Sequence, residues 1–250
     1  MDKAYLISLF FLFHSFYSFS QDEYVIDKPV EKRLGKLDSI PNPDYTNYLL
    51  NASAFTLKKG NIRLSSTDVL FAKGSYGVTE KLTMSASISL VGTFIGSFKQ
   101  QISLTEELKL AFSGSIGQLV SLPTDSVILF TGGEGMITLG DIQNNITFGV
   151  GYYYTKSSFN LIDNEREFFV GNIHISTQKQ LRKRVYLIGE GMYFGQYNVF
   201  SGSIGLKVII KTNMTLGFGI MPIAWKDRNF SKSKIEGGAL PILTFRMLFD

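Results

Sequence analysis

Leu82-Thr83-Met84-Ser85-Ala86-Ser87-Ile88-Ser89-Leu90 reads with a period of two. In an extended chain successive side chains point to opposite faces, so Leu82, Met84, Ala86, Ile88 and Leu90 share one face and the hydroxyls of Thr83, Ser85, Ser87 and Ser89 share the other. A helix would scatter both sets around its circumference. The uncharged run that contains this stretch ends at Lys81 and Lys99. It is shorter and more polar than the ~20 apolar residues of a spanning helix, so a helical membrane protein is excluded.

The same alternation recurs along the chain. Ile146, Phe148, Val150, Tyr152 and Tyr154 oppose Asn145, Thr147, Gly149, Gly151 and Tyr153. Phe200, Gly202, Ile204, Leu206, Val208 and Ile210 oppose Ser201, Ser203, Gly205, Lys207 and Ile209. Each segment runs about ten residues, the length a tilted strand needs to cross a bilayer, whereas strands of soluble sandwiches average about five or six.

Polar turns punctuate these segments near residues 79, 105, 142, 181 and 212. Two pairs repeat in detail: Val78-Thr79-Glu80-Lys81-Leu82 resembles Leu104-Thr105-Glu106-Glu107-Leu108, and Asn144-Asn145-Ile146-Thr147 resembles Thr212-Asn213-Met214-Thr215. Between them lie more variable connections at Val91 to Phe98, Ser121 to Ser126, Lys156 to Arg166, Gly195 to Asn198 and Lys226 to Gly237. Short turns alternating with variable loops make consecutive hairpins with two unlike ends. Strands are expected near 60–66, 68–77, 82–91, 98–104, 108–120, 126–139, 145–155, 167–177, 184–194, 198–210, 214–224 and 238–249. The fold class read from this is all-β, an antiparallel up-and-down transmembrane β-barrel of about 12 strands, an even number as single-chain bacterial barrels have.

Composition agrees. Charged residues are 18% of the chain, below the ~25% usual in soluble domains, while 44% are hydrophobic, 14% aromatic, and mean hydropathy is +0.10. Disordered chains show the opposite bias. A net charge of +4 with no concentrated basic patch gives no support to nucleic-acid binding.

Residues 1–20 read as a signal peptide. Lys3 precedes a short apolar core from Leu9 to Phe13, and Ser18-Phe19-Ser20 places small residues at a cleavage site before Gln21. The chain has no cysteine, so neither a disulfide nor a lipidated Cys contributes. Residues 21–59 differ from the remainder: charged at first, interrupted by Pro41-Asn42-Pro43-Asp44, then apolar at Tyr48, Leu49, Leu50, Ala52 and Phe55. They are read as a periplasmic N-terminal segment, either a plug for the barrel or a free tail, with residues 60–250 as the barrel itself.

With its leader, long amphipathic strands, asymmetric loops and aromatic final strand, the chain resembles the Gram-negative outer-membrane β-barrel proteins of the porin-like class. Leu243-Thr244-Phe245-Arg246-Met247-Leu248-Phe249 looks like that family's C-terminal assembly signal, with Phe245, Met247 and Phe249 as its apolar set, although Asp250 follows. Asn51 to Gly60 and Ser75-Tyr76-Gly77-Val78-Thr79 are similar to uncharacterised members. The resemblance implies location in the outer membrane, contact with its lipid, and insertion by barrel-assembly machinery through the last strand. It names no substrate.

In such proteins short turns face the periplasm and longer loops the exterior. Tyr152, Tyr154, Tyr193 and Trp225 then fall at the outer rim, where rings with polar tips favour the headgroup layer, forming an aromatic girdle. If the large apolar residues face lipid, the lumen is lined mainly by Ser, Thr and Gly and has room inside. A lipid-facing cation near the midplane costs about 2–4 kcal/mol, so charges within strands should face inward. Lys109, Lys207 and Arg246 are pore-lining candidates near the periplasmic end, and Glu134 and Glu190 at mid-height. A bulge at Gly132-Gly133-Glu134-Gly135 would reverse the direction of Glu134.

Catalysis finds little support. His174 is the one histidine after the leader, expected inward near the periplasmic end of its strand, and no nucleophile, metal-ligand set or phosphate loop accompanies it. No catalytic, cofactor-binding or metal residues are assigned. The functional expectation is a narrow outer-membrane channel for passive diffusion of small polar solutes. The alternative is a closed structural or interaction barrel that binds a partner through its loops or N-terminal segment. A soluble β-sandwich would leave an apolar band exposed far beyond what soluble monomers tolerate.

Overall fold

The computed structural model describes residues 42–44, 47–68, 71–89, 92–121, 126–158, 166–226 and 235–249, excepting the side chains of 119–121, 126–127, 157–158, 166, 225–226 and 235–236. The signal-peptide reading of residues 1–20 lies outside the described residues. Twelve strands follow one another: β1 Ile62–Thr67, β2 Phe71–Thr79, β3 Leu82–Ser89, β4 Phe94–Ser103, β5 Leu108–Ser121, β6 Ser126–Gly140, β7 Asn145–Ser158, β8 Arg166–Arg182, β9 Val185–Phe194, β10 Val199–Lys211, β11 Met214–Lys226 and β12 Ile235–Phe249. Each pairs antiparallel with its neighbour in sequence, and β1 closes on β12 through Ile62↔Phe249 to Thr67↔Thr244. Closure leaves no sheet edge along the paired length, the condition for placing β structure in hydrocarbon.

Alternation decides which face is which. Met84, Ile88, Phe98, Phe112, Ile116, Phe148, Val150, Ile173, Ile204 and Ile220 all stand exposed on the outside, Ile116 at 68%. Arg63, Lys99 and Lys207 are among the largest fully buried side chains. In water this inverts the usual partition of residues; in a bilayer it is the expected one. The barrel therefore presents an apolar exterior and holds polar groups within.

The connections also follow local chemistry. Asp141 accepts the backbone N–H groups of Gln143 and Asn144, both at 2.7 Å, shaping the turn from β6 to β7. Gly140 enters that turn at φ +106°, where a Cβ would stand 2.2 Å from the Asn144 carbonyl oxygen. Only glycine fits there.

Two strand boundaries that bear on the lumen depart from the sequence reading, and the β5–β6 register decides the direction of Glu134. β4 begins at Phe94, so most of the expected Val91–Phe98 loop is strand, and Gly96 pairs within the sheet with Ala86 and Ile116. β8 continues to Arg182, which moves His174 from the expected periplasmic end to the middle of its strand. The β5–β6 register is continuous through Ser113↔Glu134 and Gly114↔Gly133, so no bulge turns Glu134 outward.

Candidate functional site: the lumen and the segment inside it

The short-turn half of the lumen is occupied by the chain's own residues 42–44 and 47–57. Asn42, Asp44, Asn47 and the run from Tyr48 to Leu57 are all buried. A bridge between Asn47 and Ala52, with the Tyr48 N–H donating to Asn51 O at 3.1 Å, folds the segment into a compact loop.

Its contacts are mostly polar and reach almost every side of the wall. The Tyr48 hydroxyl bonds Asn145 Oδ1 at 2.6 Å and Thr147 Oγ1 at 2.7 Å on β7. Burial pushes the Tyr48 phenol above its usual pKa, so it is a neutral hydroxyl in these bonds. The N–H groups of Leu50 and Asn51 donate to Glu190 on β9 at 2.9 and 2.6 Å, and Asn51 Nδ2 donates to Ser176 on β8 at 2.9 Å. Ala54 N–H reaches Thr138 on β6, Leu57 N–H reaches Thr83 on β3, and Thr56 reaches Gln101 on β4. Lys99 on β4 donates to Ser53 O at 3.1 Å.

Asp44 is the hub. Its carboxylate pairs with Arg63 of β1 at 3.3 Å, with Lys207 of β10 at 3.1 Å and with Arg246 of β12, and Thr215 of β11 donates to it at 3.5 Å. Lys207 also donates to the Asp44 and Asn47 carbonyls and to Gln178, and Arg246 to the Tyr48 and Leu49 carbonyls at 2.8 and 3.0 Å. Buried cations are stable only when paired and bonded, and the segment supplies a carboxylate and several carbonyls for that purpose.

Packing adds an anchor. A Cβ on Gly205, Gly217 or Gly219 would stand 2.6 to 2.8 Å from the Leu49 side chain. The three glycines thus form a hollow on β10 and β11 that receives Leu49, with Ile188, Met221 and Ile242 completing its surroundings.

The long-loop half is different. There the inward set includes Ile95, Phe130, Val170, Met192, Phe194 and Val199, which pack together as one buried cluster. The expectation of a lumen lined by small polar residues with room inside is corrected on both counts: the lower half is polar but filled, and the upper half is apolar. Between the halves His174 Nδ1 meets Glu134 Oε1 at 2.8 Å, both fully buried.

The five charges singled out from sequence all face inward. Glu134 pairs with His174, and Glu190 accepts the loop's N–H groups and the Ser203 hydroxyl. Lys207 and Arg246 meet at Asp44. Lys109 stands apart at the short-turn mouth, half-buried, donating to Thr105 O within its own turn. Sequence reading missed Asp44, Arg63, Lys73 and Lys99. The signal was present, since their strand parity made Arg63, Lys73 and Lys99 inward, and that many inward cations call for a buried carboxylate.

Of the aromatic girdle, Tyr152 and Tyr193 are exposed outward, and Tyr152 and Tyr154 both contact the Phe169 ring, at 5.5 and 5.3 Å between centroids. Tyr153 and Phe194 point inward instead. Trp225 pairs with Val199 and Glu236, and its side chain lies outside the described residues. Phe245, Met247 and Phe249 share the outer face of β12 while Arg246 and Leu248 face in.

No family model and no curated protein matches the chain. Among solved structures it is similar to the NanC porin, at 9% identity and a TM-score of 0.41 over 75% of this chain and 97% of that one. It is also similar to the KdgM porin in complex with disordered oligogalacturonate, at 8% identity and a TM-score of 0.43 over 76% and 97%. A third is the outer membrane protein Omp33 of Acinetobacter baumannii, at 10% identity and a TM-score of 0.35 over 76% and 96%. The chain itself has the architecture of a transmembrane β-barrel: twelve antiparallel strands, closed, with the apolar side chains outside.

Proposed function

We propose that the protein is a channel-type barrel of the outer membrane, shut at rest by residues 42–57, that passes small polar solutes, anions ahead of cations, once this segment withdraws. One observation carries the reading: the wall behind the segment is polar and basic. Arg63, Lys73, Ser75, Thr83, Lys99, Gln101, Thr138, Thr147, Gln178, Lys207 and Arg246 line it. A segment held permanently could have been seated on apolar packing throughout. Hydrogen bonds and ion pairs can instead be exchanged for water and salt at modest net cost. Withdrawal also removes Asp44, leaving the cations of Arg63, Lys73, Lys99, Lys207 and Arg246 against the carboxylates of Glu134 and Glu190. Such a lumen favours anions. The apolar cluster above acts as a second closure, since a narrow hydrophobic constriction excludes ions by dewetting.

The same cluster favours a second reading, in which the lumen never opens and the barrel is a scaffold whose loops or inner segment bind a partner. Planar-bilayer conductance separates the two. The full chain is expected to be silent or to open briefly, and Asp44→Asn to open far more often. A barrel with residues 42–57 deleted that still migrates as folded before boiling, yet passes no current, would sink the channel and leave the scaffold.

A further inference from the structure

The wall of the barrel is uneven. β1, β2, β3 and β4 have 6, 9, 8 and 10 residues, whereas β5 to β8 have 14 to 17 and β12 has 15. A strand tilted near 40° climbs about 2.5 Å per residue, so β1 rises about 15 Å beside a hydrocarbon band about 25 Å tall. β12 continues past it. It pairs with β11 from Ile235 to Met247 but with β1 only from Thr244 to Phe249. Among the described residues, its edge from Ile235 to Ile242 has no strand beside it on the β1 side.

This end of the seam is constructed by the sequence. Asp68, at φ +51°, donates its N–H to Leu243 O at 2.7 Å and accepts the Leu243 N–H on its carboxylate at 2.7 Å. The next residue up whose backbone faces the same way is Pro241, which has no N–H to leave open. A carboxylate cap followed by proline stops the ladder without stranding a donor in lipid at that level.

Both sides of the rim are apolar. Phe218, Ile220 and Leu243 face outward, and Met221, Leu240 and Ile242 face inward, with Phe71 of β2 across the gap; a cleft of 770 Å³ is lined by all of them. Inside, Ile223 packs against both the cluster around Leu49 and the cluster around Phe130. Apolar surface therefore runs unbroken from the lipid face, over the rim, to the interior of the upper lumen. Above the cleft, Ala239 and Gly237 share the parity of Leu243 and Pro241, so their backbone groups point in the plane of the sheet toward the open β1 side.

We propose that this notch is a lateral port that seats an acyl chain of an outer-leaflet lipid. The chain lies beneath the rim against Phe71, Met221, Leu240 and Ile242, and the polar head meets the open backbone of Gly237 and Ala239. The inference is independent of conduction.

The test uses the full chain refolded into vesicles containing a phospholipid with a photoreactive diazirine on one acyl chain, with adducts located by peptide mapping. Ordinary annular lipid labels Phe218, Ile220 and Leu243. The port predicts comparable labelling of Met221, Leu240 and Ile242, falling about tenfold or more relative to the outward sites in Ile242→Glu, since a carboxylate is costly against an acyl chain. Leu240→Trp, which fills the cleft with an apolar ring, should cut inward labelling as well and guards against a misfolded Glu variant. Adducts confined to the outward residues, or inward adducts unchanged by a folded variant, would overturn the port. A silent conductance record would not touch it.

Discussion

Asp44 shows how much one side chain can organise. It is drawn from a Pro-Asn-Pro-Asp stretch that reads as a breaker, yet it neutralises cations from β1, β10 and β12 at once. Removing one partner of a buried ion cluster costs about 3–5 kcal/mol because the others are left uncompensated. Asp44→Asn should therefore lower the unfolding free energy obtained from urea titration in vesicles by an amount in that range. Leu49→Ala should cost about 2–5 kcal/mol as a cavity opens in the Gly205-Gly217-Gly219 hollow, or less if the wall collapses into it. The discriminating readout is hydrogen exchange: the Leu50, Asn51, Ala54 and Leu57 amides should lose protection in both variants while strand amides keep theirs. Glu134 was legible at this scale because parity is a local property. Its partner was legible only as a lone histidine, since the pairing joins β6 to β8 over the glycines of β7.

At the scale of strands, alternation carries nearly all the information. Ile204, in the middle of β10 and 62% exposed, should cost about 2–4 kcal/mol when changed to Lys, whereas Leu104→Lys in the β4–β5 turn should cost about 0–1 kcal/mol, by the depth dependence of lipid-facing charge. Equal costs at the two sites would contradict the placement of the apolar band. Asp68→Ala should expose the Leu243 N–H and weaken the β1–β12 seam by about 1–3 kcal/mol, visible as faster exchange of the Leu243 amide. Strand number and most boundaries were readable because turns with Asn, Asp, Gly and Thr interrupt the period. The β4 start was misread because Gly92 and Gly96 look alike in sequence and only pairing separates them: Gly96 is opposite Ala86 and Ile116, and Gly92 is in the turn.

For the whole molecule, the decisive quantity is the balance of charge within the closed wall. With residues 42–57 deleted, reversal potentials in a salt gradient should report anion preference, and Lys73→Glu should reduce it, because Lys73 faces the lumen on β2. An unchanged selectivity would mean that the current does not pass that wall. The sequence by itself determined the strand period, the count of strands, which face meets lipid, and that strand charges point inward. Each is a matter of neighbours along the chain, where a period of two and a polar turn are visible locally. Only the tertiary structure decided that residues 42–57 lie within the lumen, that Asp44 gathers Arg63, Lys207 and Arg246, and that the upper lumen is apolar. It also decided that the wall drops at β1 to β4. These depend on closing β1 onto β12 and on the stagger accumulated around twelve strands, which bring together residues far apart in the chain, a relation that no window of sequence contains.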